Sequence, residues 1–253
     1  MMEELHKISQ EAGDLILKYY GDKTFSVKED LSPITLADQA SHNFLVNALK
    51  QIKDIPILSE ENIIPYDIRK TWDEFWLIDP LDGTKEFING IDEFCICIAL
   101  IKNRKPVMGA IYAPALKEFY WARQDKGVQY KGPKREKRNG KGVIAVTSRF
   151  HVSQKTKDFL EAIKIDNVIQ MGSALKFGRM ALGEIDLYPR FEWSKEWDIA
   201  SGHIILELCD SSIVDMKTRT SLLYNSETLQ NNNFFAHTCN INVEILNIQG
   251  ALL

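Results

Sequence analysis

An acidic turn at the end of an apolar strand is the most informative stretch of this chain. The apolar residues 75–78 lead directly into Asp-Pro-Leu-Asp-Gly-Thr at 79–84. Proline fixes its own φ and has no N–H to donate, so the Pro-Leu spacer allows both carboxylates and the Leu81 carbonyl to face one side. Mg²⁺ is held in proteins by a few carboxylates together with water and substrate phosphate. The run therefore predicts a metal site, although Asp, Pro and Gly are also common turn residues.

Carboxylates also occur at the ends of two other segments. The apolar residues 55–58 lead into Ser59-Glu60-Glu61, and Asp198 stands at the start of a helical pattern over 199–207. Open α/β sheets bind ligands at the carboxyl ends of their strands, which favours a ligand role for Glu60. Asp198 fits either a helix cap or a further ligand. The expected metal ligands, with Asp79 as the bridging one, are Glu60, Asp79, Asp82, Asp198 and the Leu81 carbonyl.

Composition excludes some classes of protein. A chain of 253 residues is long enough for one large domain or two smaller ones. The formal net charge of −4 and the pI near 5.8 argue against binding to nucleic-acid polymers, which requires a basic face. The N-terminus lacks a signal-peptide pattern, and no apolar run approaches the ~20 residues that span a bilayer. We therefore expect a cytoplasmic protein without a transmembrane segment.

The cysteines show no zinc-binding motif. None of the four has the sequence spacing of such a site. Cys95 and Cys97 alternate within a predicted strand, and we expect them to be small buried hydrophobic residues. The other two are Cys209 and Cys239.

Hydrophobic periodicity predicts helices beside antiparallel strands in the first half of the chain. Apolar residues recur at helical spacing over the first twenty residues and again from about Thr35 to Ile52. Alternating or β-rich segments near 94–101, 107–112 and 119–122 predict antiparallel strands. The pattern Thr35-x-x-Asp38 fits a capping box at the start of the second helix.

The second half has a different pattern. From Val143 onward strand and helix patterns alternate, which indicates an α/β arrangement. The basic, glycine-containing segment 131–142 separates the two halves. It is typical of a solvated hairpin or linker, and the alternative is a patch for nucleotide or membrane phosphates. We predict an N-terminal α+β half at 1–138 and a C-terminal α/β half at 139–253.

These segments resemble a known superfamily, the Mg²⁺-dependent, lithium-sensitive phosphatases that include inositol monophosphatase and fructose-1,6-bisphosphatase. The Asp-Pro-Leu-Asp-Gly-Thr core marks the superfamily, and Lys-Glu-Phe-Ile at 85–88 is most similar to its 3'(2'),5'-bisphosphate nucleotidases of the CysQ type. The resemblance fades after about Leu208. Further matching segments follow in the family's order: SPITLAD (32–38), LSEE (58–61), GSALKF (172–177), LYPRF (187–191) and Trp197-Asp198.

The resemblance implies a fold, a cofactor and a reaction. The fold is an α/β (α+β) layered α-β-α-β-α sandwich with the metal site in a cleft between the two halves. The implied reaction is hydrolysis of adenosine 3',5'-bisphosphate to AMP and phosphate, with two or three Mg²⁺ ions as cofactor. The partner is thus a small nucleotide bisphosphate, and the resemblance leaves open a loose contact with the inner face of the membrane.

The resemblance also implies roles for individual residues. Asp38 and Thr84 would orient and deprotonate the attacking water, although Asp38 also fits the capping box. Ser173, Lys176 and Arg190 match positions that hold the phosphate that is not cleaved. The residues implied to contact substrate are Glu60, Leu81, Asp82, Gly83, Thr84, Ser173, Lys176, Arg190 and Asp198.

Two other functions compete with this interpretation. An inositol or sugar monophosphatase would use the same metal site, but Arg190 and the 85–88 segment argue against it. A nonenzymatic nucleotide-binding regulator would be expected to lack a metal ligand, and every expected acid is present.

Overall fold

The computed structural model describes residues 1–21, 24–27, 33–135, 138, 142–150 and 152–241. Ser32, residues 136–137 and 139–141 of the basic segment, and residues 242–253 lie outside the described residues. The helices in the described ranges are α1 (Met2–Leu17), α2 (Leu36–Ile52), α3 (Tyr66–Arg69), α4 (Thr84–Ile88), α5 (Gln154–Ala162), α6 (Leu175–Ala181) and α7 (Glu196–Glu207). The strands in the first half are β1 (Ser26–Val27), β2 (Pro33–Ile34), β3 (Ile57–Ser59), β4 (Glu74–Asp82), β5 (Cys95–Lys102), β6 (Lys105–Ala113), β7 (Glu118–Arg123) and β8 (Gly127–Lys131). Those in the second half are β9 (Ala145–Ser148), β10 (Val168–Met171), β11 (Leu187–Arg190), β12 (Ser211–Asp215) and β13 (Phe234–Thr238).

A six-stranded sheet forms the first half of the molecule. Its strand order is β3-β4-β5-β6-β7-β8, with β3 parallel to β4 and every later pair antiparallel. Short turns join β5 through β8, as expected of hairpin-connected strands. The parallel β3–β4 pair places Ser59 beside Ile78, so the residues that follow them reach the same edge of the sheet.

Strand β5 shows why this sheet is covered on both faces. Side chains alternate between the two faces of a strand. Cys95, Cys97, Ala99 and Ile101 join one hydrophobic core, whereas Ile96, Ile98 and Leu100 join another. Helices α1 and α2 pack on the face that carries the second of these cores. A strand buried on both faces has an almost continuous apolar run, and 94–101 has such a run.

Helix α7 fills the space between the two sheets. It packs against strands β4 to β7 of the first sheet, β12 of the second and helix α6. Its residues from Trp197 to Leu206 are buried almost throughout, which explains why this helix has no polar face. The second sheet has the order β10-β9-β11-β13-β12, and α5 covers its outer face through Phe159 and Leu160. The layers therefore run α-β-α-β-α, and the predicted fold class is confirmed.

Most elements lie near their predicted positions, and two regions differ. Strand β4 continues through Pro80 to Asp82, with a register shift against β5 between Asp79 and Asp82. Proline is tolerated there because the shift interrupts the ladder. Strands β12 and β13 in the C-terminal region follow no strong alternating pattern and were not predicted.

Three of the described basic side chains of segment 131–142 are ion-paired with acidic residues. Lys131 binds Glu3 at 2.7 Å, Arg135 binds Glu118 at 2.8 Å, and Arg138 binds Asp186. These pairs favour a structural role over a phosphate-binding patch. The proposed boundary at 138/139 falls between β8 and β9, and the division into two halves stays a prediction. Among the described residues, no helix is both long and apolar enough to cross a membrane.

Candidate active site

A cleft of about 750 Å³ is lined by residues from both sides of the predicted boundary at 138/139. It is lined by the carboxyl ends of strands β4 and β11 and by the starts of helices α4, α6 and α7. Of the predicted site residues, only Asp38 does not line it. The predicted residues that do are Glu60, Asp79, Leu81, Asp82, Gly83, Thr84, Ser173, Lys176, Arg190 and Asp198.

Three carboxylates from distant parts of the sequence converge in this cleft. Glu60, Asp79 and Asp198 each place a carboxylate oxygen within 4.8 Å of the others. Glu60 follows β3, and its N–H donates to the Ile78 carbonyl of β4 at 3.2 Å, which fixes it beside Asp79. Asp198 arrives from the first turn of α7. Such an oxygen-only group suits a hard divalent cation.

Asp198 caps its helix and also belongs to the converging carboxylates. Its Oδ2 accepts a hydrogen bond from the Lys195 N–H at 2.9 Å and so caps helix α7. The cap holds the carboxylate in a fixed orientation beside Glu60 and Asp79. Capping and metal binding are therefore compatible at this residue.

The carboxylates of Glu60, Asp79, Asp82 and Asp198, here called the acidic group, repel one another, and a cation would offset this repulsion. Burial, followed by the charges of Glu60, Asp82 and Asp198, raises the pKa of Asp79 well above its ordinary value. Burial and the charges of Asp82 and Glu60 likewise raise the pKa of Asp198. Burial raises the pKa of Asp82 to about 6, against the opposing effect of Lys176. The donor set therefore fits divalent cations, which would offset both the burial and the repulsion.

The turn after Asp79 is held in place by its own backbone contacts. The Leu81 N–H donates to Asp79 Oδ1 at 3.0 Å, and Ser41 Oγ donates to the Pro80 carbonyl at 2.8 Å. Pro80 has no N–H that would need a partner here. These bonds orient Asp79 and present Leu81 to the cleft.

Gly83 turns the chain from β4 into α4 in a conformation that favours glycine. Its φ is +90°, and an added Cβ would lie 3.1 Å from the Glu93 carbonyl and 3.2 Å from Ser173 Cβ. Gly90 also has a positive φ, +70°, but an added Cβ there would meet nothing within 4 Å.

Gly83→Ala is expected to destabilise the protein more than Gly90→Ala. Both substitutions carry the left-handed backbone cost of about 1–2 kcal/mol, and crowding adds to it at position 83 by about 1–3 kcal/mol. Denaturant unfolding of both variants measures the difference. Equal losses in the free energy of unfolding would contradict the close approach of Gly83 to Glu93 and Ser173.

Asp38 makes the capping box and also contacts Thr84. Its Oδ2 accepts from the Thr35 N–H at 2.7 Å and from Thr35 Oγ1 at 2.6 Å. Thr84 Oγ1 lies 3.5 Å from Asp38 Oδ1 and 3.2 Å from the Leu81 carbonyl oxygen. The capping box is thus present, and it uses a different carboxylate oxygen from the one that faces Thr84. The catalytic role of Asp38 and Thr84 stays a prediction.

The start of α6 is built around Asp82. The Ala174 N–H donates to Asp82 Oδ2 at 2.5 Å, and the Leu175 N–H donates to Ser173 Oγ at 3.2 Å. Ser173 has a positive φ of 48°. These bonds occupy two N–H groups at the start of the helix, which are therefore not free to bind an anion.

Lys176 is buried and stabilises the loop before α6 by hydrogen bonds to its backbone. Its ammonium donates to the Ser173 carbonyl at 2.6 Å and to the Met171 carbonyl at 3.1 Å, and it lies 5.2 Å from the centre of the Tyr188 ring. It also lowers the pKa of Asp82 against the effect of burial. Lys176 therefore supplies a fixed positive charge on the cleft wall.

Arg190 is largely buried and keeps one donor without a hydrogen bond. Its Nη1 donates to Ser148 Oγ, and its Nη2 donates to the Trp193 carbonyl at 3.3 Å. Its Nε lies 3.8 Å from Glu192 but has no hydrogen-bond partner among the described residues. Its charge acts on both Asp82 and Asp198, so the guanidinium lies close to the acidic group.

Exposed apolar side chains at the cleft were not predicted. Trp193 is 58% exposed, Ile63 is 57% exposed and Phe150 is 43% exposed, and all three line the cleft. Isolated apolar residues in polar loops carry no periodic signal, so only the fold brings these together. The only sequence indication that one of them lies at the cleft is that Trp193 closely follows Arg190.

Comparisons with known proteins agree with this geometry. The model of the inositol monophosphatase family matches residues 1–245. The 3'(2'),5'-bisphosphate nucleotidase CysQ of Salmonella typhimurium is 37% identical over 87% of this chain and 92% of its own length. That of Escherichia coli K12 is 36% identical over 85% and 90%. The crystal structure of CysQ from Bacteroides thetaiotaomicron superposes with a TM-score of 0.82 at 33% identity, covering 94% of this chain and 97% of that one.

Proposed function

The chain belongs to the inositol monophosphatase family, and we propose that it is a Mg²⁺-dependent 3'(2'),5'-bisphosphate nucleotidase. Its reaction is the hydrolysis of adenosine 3',5'-bisphosphate to AMP and phosphate. Relatives that share more than a third of its residues over most of its length are named for this activity. The substrate is a small nucleotide, which fits the volume of the cleft.

The observation that carries this proposal is the position of Arg190 opposite the acidic group. A single-phosphate substrate needs one cationic site, and the cations held by Glu60, Asp79 and Asp198 would provide it. Arg190 lines the same cleft and adds a second one through its guanidinium. Guanidinium groups bind phosphate oxygens in a fixed geometry. Two separate anion sites in one cleft suit a bisphosphate.

The metal ligands follow from the convergence described above. Glu60, Asp79, Leu81, Asp82 and Asp198 would hold two or three Mg²⁺ ions, with Asp79 shared between ions. Mg²⁺ in such a group neutralises phosphate charge, lowers the pKa of a water molecule and stabilises a leaving oxygen. The raised pKa values of Asp79, Asp82 and Asp198 support a resident cation at this position.

The chain's own residues complete the reaction. Thr84 Oγ1 lies within reach of Asp38 Oδ1 and of the Leu81 carbonyl oxygen, and it orients the attacking water. Asp38 Oδ1 takes up a proton from this hydroxyl as the hydroxyl accepts one from the water. Ser173 and Lys176 form the wall beside the substrate phosphates. The capping box holds Asp38 in place, since its Oδ2 is engaged by Thr35.

The exposed aromatic residues favour a nucleoside over inositol as the organic part of the substrate. Trp193 and Phe150 offer flat apolar surfaces at the cleft. Aromatic rings stack on nucleobases, and such stacking is worth about 1–3 kcal/mol per base. A polyhydroxylated ring gains less from such a surface. This observation argues against the inositol or sugar monophosphatase alternative.

Arg190→Ala is expected to weaken use of adenosine 3',5'-bisphosphate chiefly through KM. A charge-assisted contact is worth about 1.5–3 kcal/mol, which corresponds to a loss of about ten- to a hundredfold in kcat/KM. Hydrolysis of adenosine 3'-monophosphate should change little, because that substrate has no second phosphate. Steady-state kinetics on both substrates measures the effect.

The matched control for this test is Arg123→Ala. Arg123 pairs with Asp125 on the surface and does not line the cleft. It should leave both substrates unaffected. An equal loss on the two substrates in Arg190→Ala would mean that Arg190 supports the fold or the chemistry, and the assignment to the second phosphate would be wrong.

A further inference from the structure

Two thiols and a carboxylate meet immediately behind the acidic group. Cys95 and Cys97 lie on the same face of β5, and β4 places Asp82 opposite Cys95 and Asp79 opposite Cys97. Both thiols donate to one atom, Asp82 Oδ2, at 3.9 Å each, and the two sulfur atoms are 3.7 Å apart. The sequence spacing showed no zinc motif because the third donor comes from the neighbouring strand.

The separation of the three atoms matches a metal coordination sphere. In a triangle with these sides, the point equidistant from the three atoms lies about 2.2 Å from each. Zinc binds thiolate sulfur at about 2.3 Å and carboxylate oxygen at about 2.0–2.2 Å. A sulfur separation of 3.7 Å also agrees with two thiolates that share one tetrahedral ion. The site is therefore preformed for an ion of this size.

The same geometry does not favour a disulfide between the two cysteines. Residues two apart in a strand are separated by about 6.4–6.8 Å along its axis, and their Cβ atoms point to the same face. A disulfide brings its Cβ atoms to about 3.5–4.5 Å. The strand is buried along almost its whole length and cannot shorten without losing its ladder to β4 and β6. A metal ion bound by both sulfur atoms is compatible with this separation of the two residues, whereas a disulfide bond is not.

We infer that Asp82, Cys95 and Cys97 form a second metal site, selective for thiophilic divalent cations such as Zn²⁺. Both sulfur atoms are buried, whereas Asp82 lines the cleft and offers the route of entry. Each thiol releases its proton to solvent as its sulfur binds the ion, and the fourth position is left for water. Mg²⁺ does not compete here, because it prefers oxygen ligands in octahedral geometry.

Occupancy of this site weakens the binding of Mg²⁺ by Asp82. Zinc at Asp82 Oδ2 leaves only the other oxygen of the carboxylate for a magnesium ion in the cleft, and the charge of the zinc ion repels that ion. Zinc is therefore an inhibitor that added Mg²⁺ relieves poorly. This consequence rests on the proposed function, whereas the binding of zinc by the thiols does not.

The direct test is cobalt and zinc binding to the metal-free protein. Cobalt reports thiolate ligands through an intense near-ultraviolet charge-transfer absorption, and zinc affinity is measured by competition with a chromophoric chelator. The reference variant carries Cys209→Ser and Cys239→Ser, which removes the thiols outside the site. It should show the thiolate–cobalt band. Adding Cys95→Ser and Cys97→Ser should abolish the band and weaken zinc binding by at least about a hundredfold. Substituting a residue that only orients a metal ligand already lowers metal affinity by about 10–100-fold, and this variant loses two ligands.

Several results would overturn the inference. They are the absence of a thiolate–cobalt band in the reference variant, and a zinc affinity that is unchanged by the serine substitutions at 95 and 97. In the latter case zinc would bind only among the carboxylates. If the double substitution prevents folding, Cys97→Ser alone, which keeps the size of the side chain, should still weaken the band and the zinc affinity.

A measurement of zinc inhibition tests this inference separately from the proposed function. With Mg²⁺ saturating, the zinc concentration that halves turnover should rise at least about tenfold when Cys95 and Cys97 are serine. Unchanged zinc inhibition in that variant would overturn the competition for Asp82. A protein that binds zinc through thiolates but releases no phosphate would refute the proposed function alone.

Discussion

Replacing Asp79 with asparagine is expected to lower kcat by several orders of magnitude while the protein stays folded. The substitution keeps the shape of the side chain, including an oxygen that can accept from the Leu81 N–H. It removes one charge from a group that must hold cations, and those cations supply most of the transition-state stabilisation. Phosphate release at saturating Mg²⁺ measures the loss.

Stability provides the internal control for this variant. Asp79 is buried, and burial and its acidic neighbours raise its pKa. Removing its charge should therefore leave the Tm of the metal-free protein unchanged or raise it, and should reduce the increase in Tm that Mg²⁺ produces in the wild type. Asp67→Asn, on an exposed side chain outside the cleft, should change neither activity nor Tm. Turnover near the wild-type level in Asp79→Asn would refute the metal assignment.

Asp38→Asn is expected to reduce kcat by about 10²–10⁴, the usual contribution of general-base catalysis. The amide oxygen can still accept from Thr35 and keep the capping box, but it cannot accept a proton from water. The Tm should therefore change little, and KM should stay near the wild-type value. Single-turnover kinetics together with thermal unfolding measures both properties on one variant.

Thr35→Ala is the matched control for the Asp38 experiment. It removes the hydroxyl that accepts from the Ala37 and Asp38 N–H groups and that donates to Asp38 Oδ2. The N–H of residue 35 still donates to the same oxygen and keeps the carboxylate of Asp38 in place. Loss of such a cap costs about 1 kcal/mol of stability, and kcat should fall by less than about tenfold, below the effect of losing a general base. If Asp38→Asn keeps its turnover, Asp38 is only a capping residue, and another group must activate the water.

The local parts of the site could be predicted from the sequence because each depends only on residues that are neighbours in the chain. The Asp-Pro-Leu-Asp-Gly-Thr run indicates paired carboxylates, a rigid spacer and a turn. Thr35-x-x-Asp38 indicates the capping box that the structure contains. The pattern over 94–101 predicts the strand that the structure contains as β5.

The parts that could not be predicted depend on contacts between distant segments. Helix α7 has no amphipathic face, so its position between two sheets cannot be read from periodicity. Cys95 and Cys97 were predicted to be small buried hydrophobic residues, and their burial is confirmed. Their approach to Asp82 follows only from the register of β4 on β5, including the shift after Asp79. The hydrogen bond of Asp82 to Ala174 likewise joins two halves that sequence spacing cannot relate.

The central claim is that this cleft hydrolyses a nucleotide bisphosphate with the help of Mg²⁺. The most direct measurement is phosphate release by the purified protein from adenosine 3',5'-bisphosphate and from inositol 1-phosphate, each with Mg²⁺ and with a chelator. We expect rapid release from the nucleotide only when Mg²⁺ is present, and a kcat/KM for inositol 1-phosphate that is lower by at least about tenfold, the minimum worth of one charge-assisted phosphate contact. Equal or faster hydrolysis of inositol 1-phosphate, or release from the nucleotide that persists in chelator, would contradict the account.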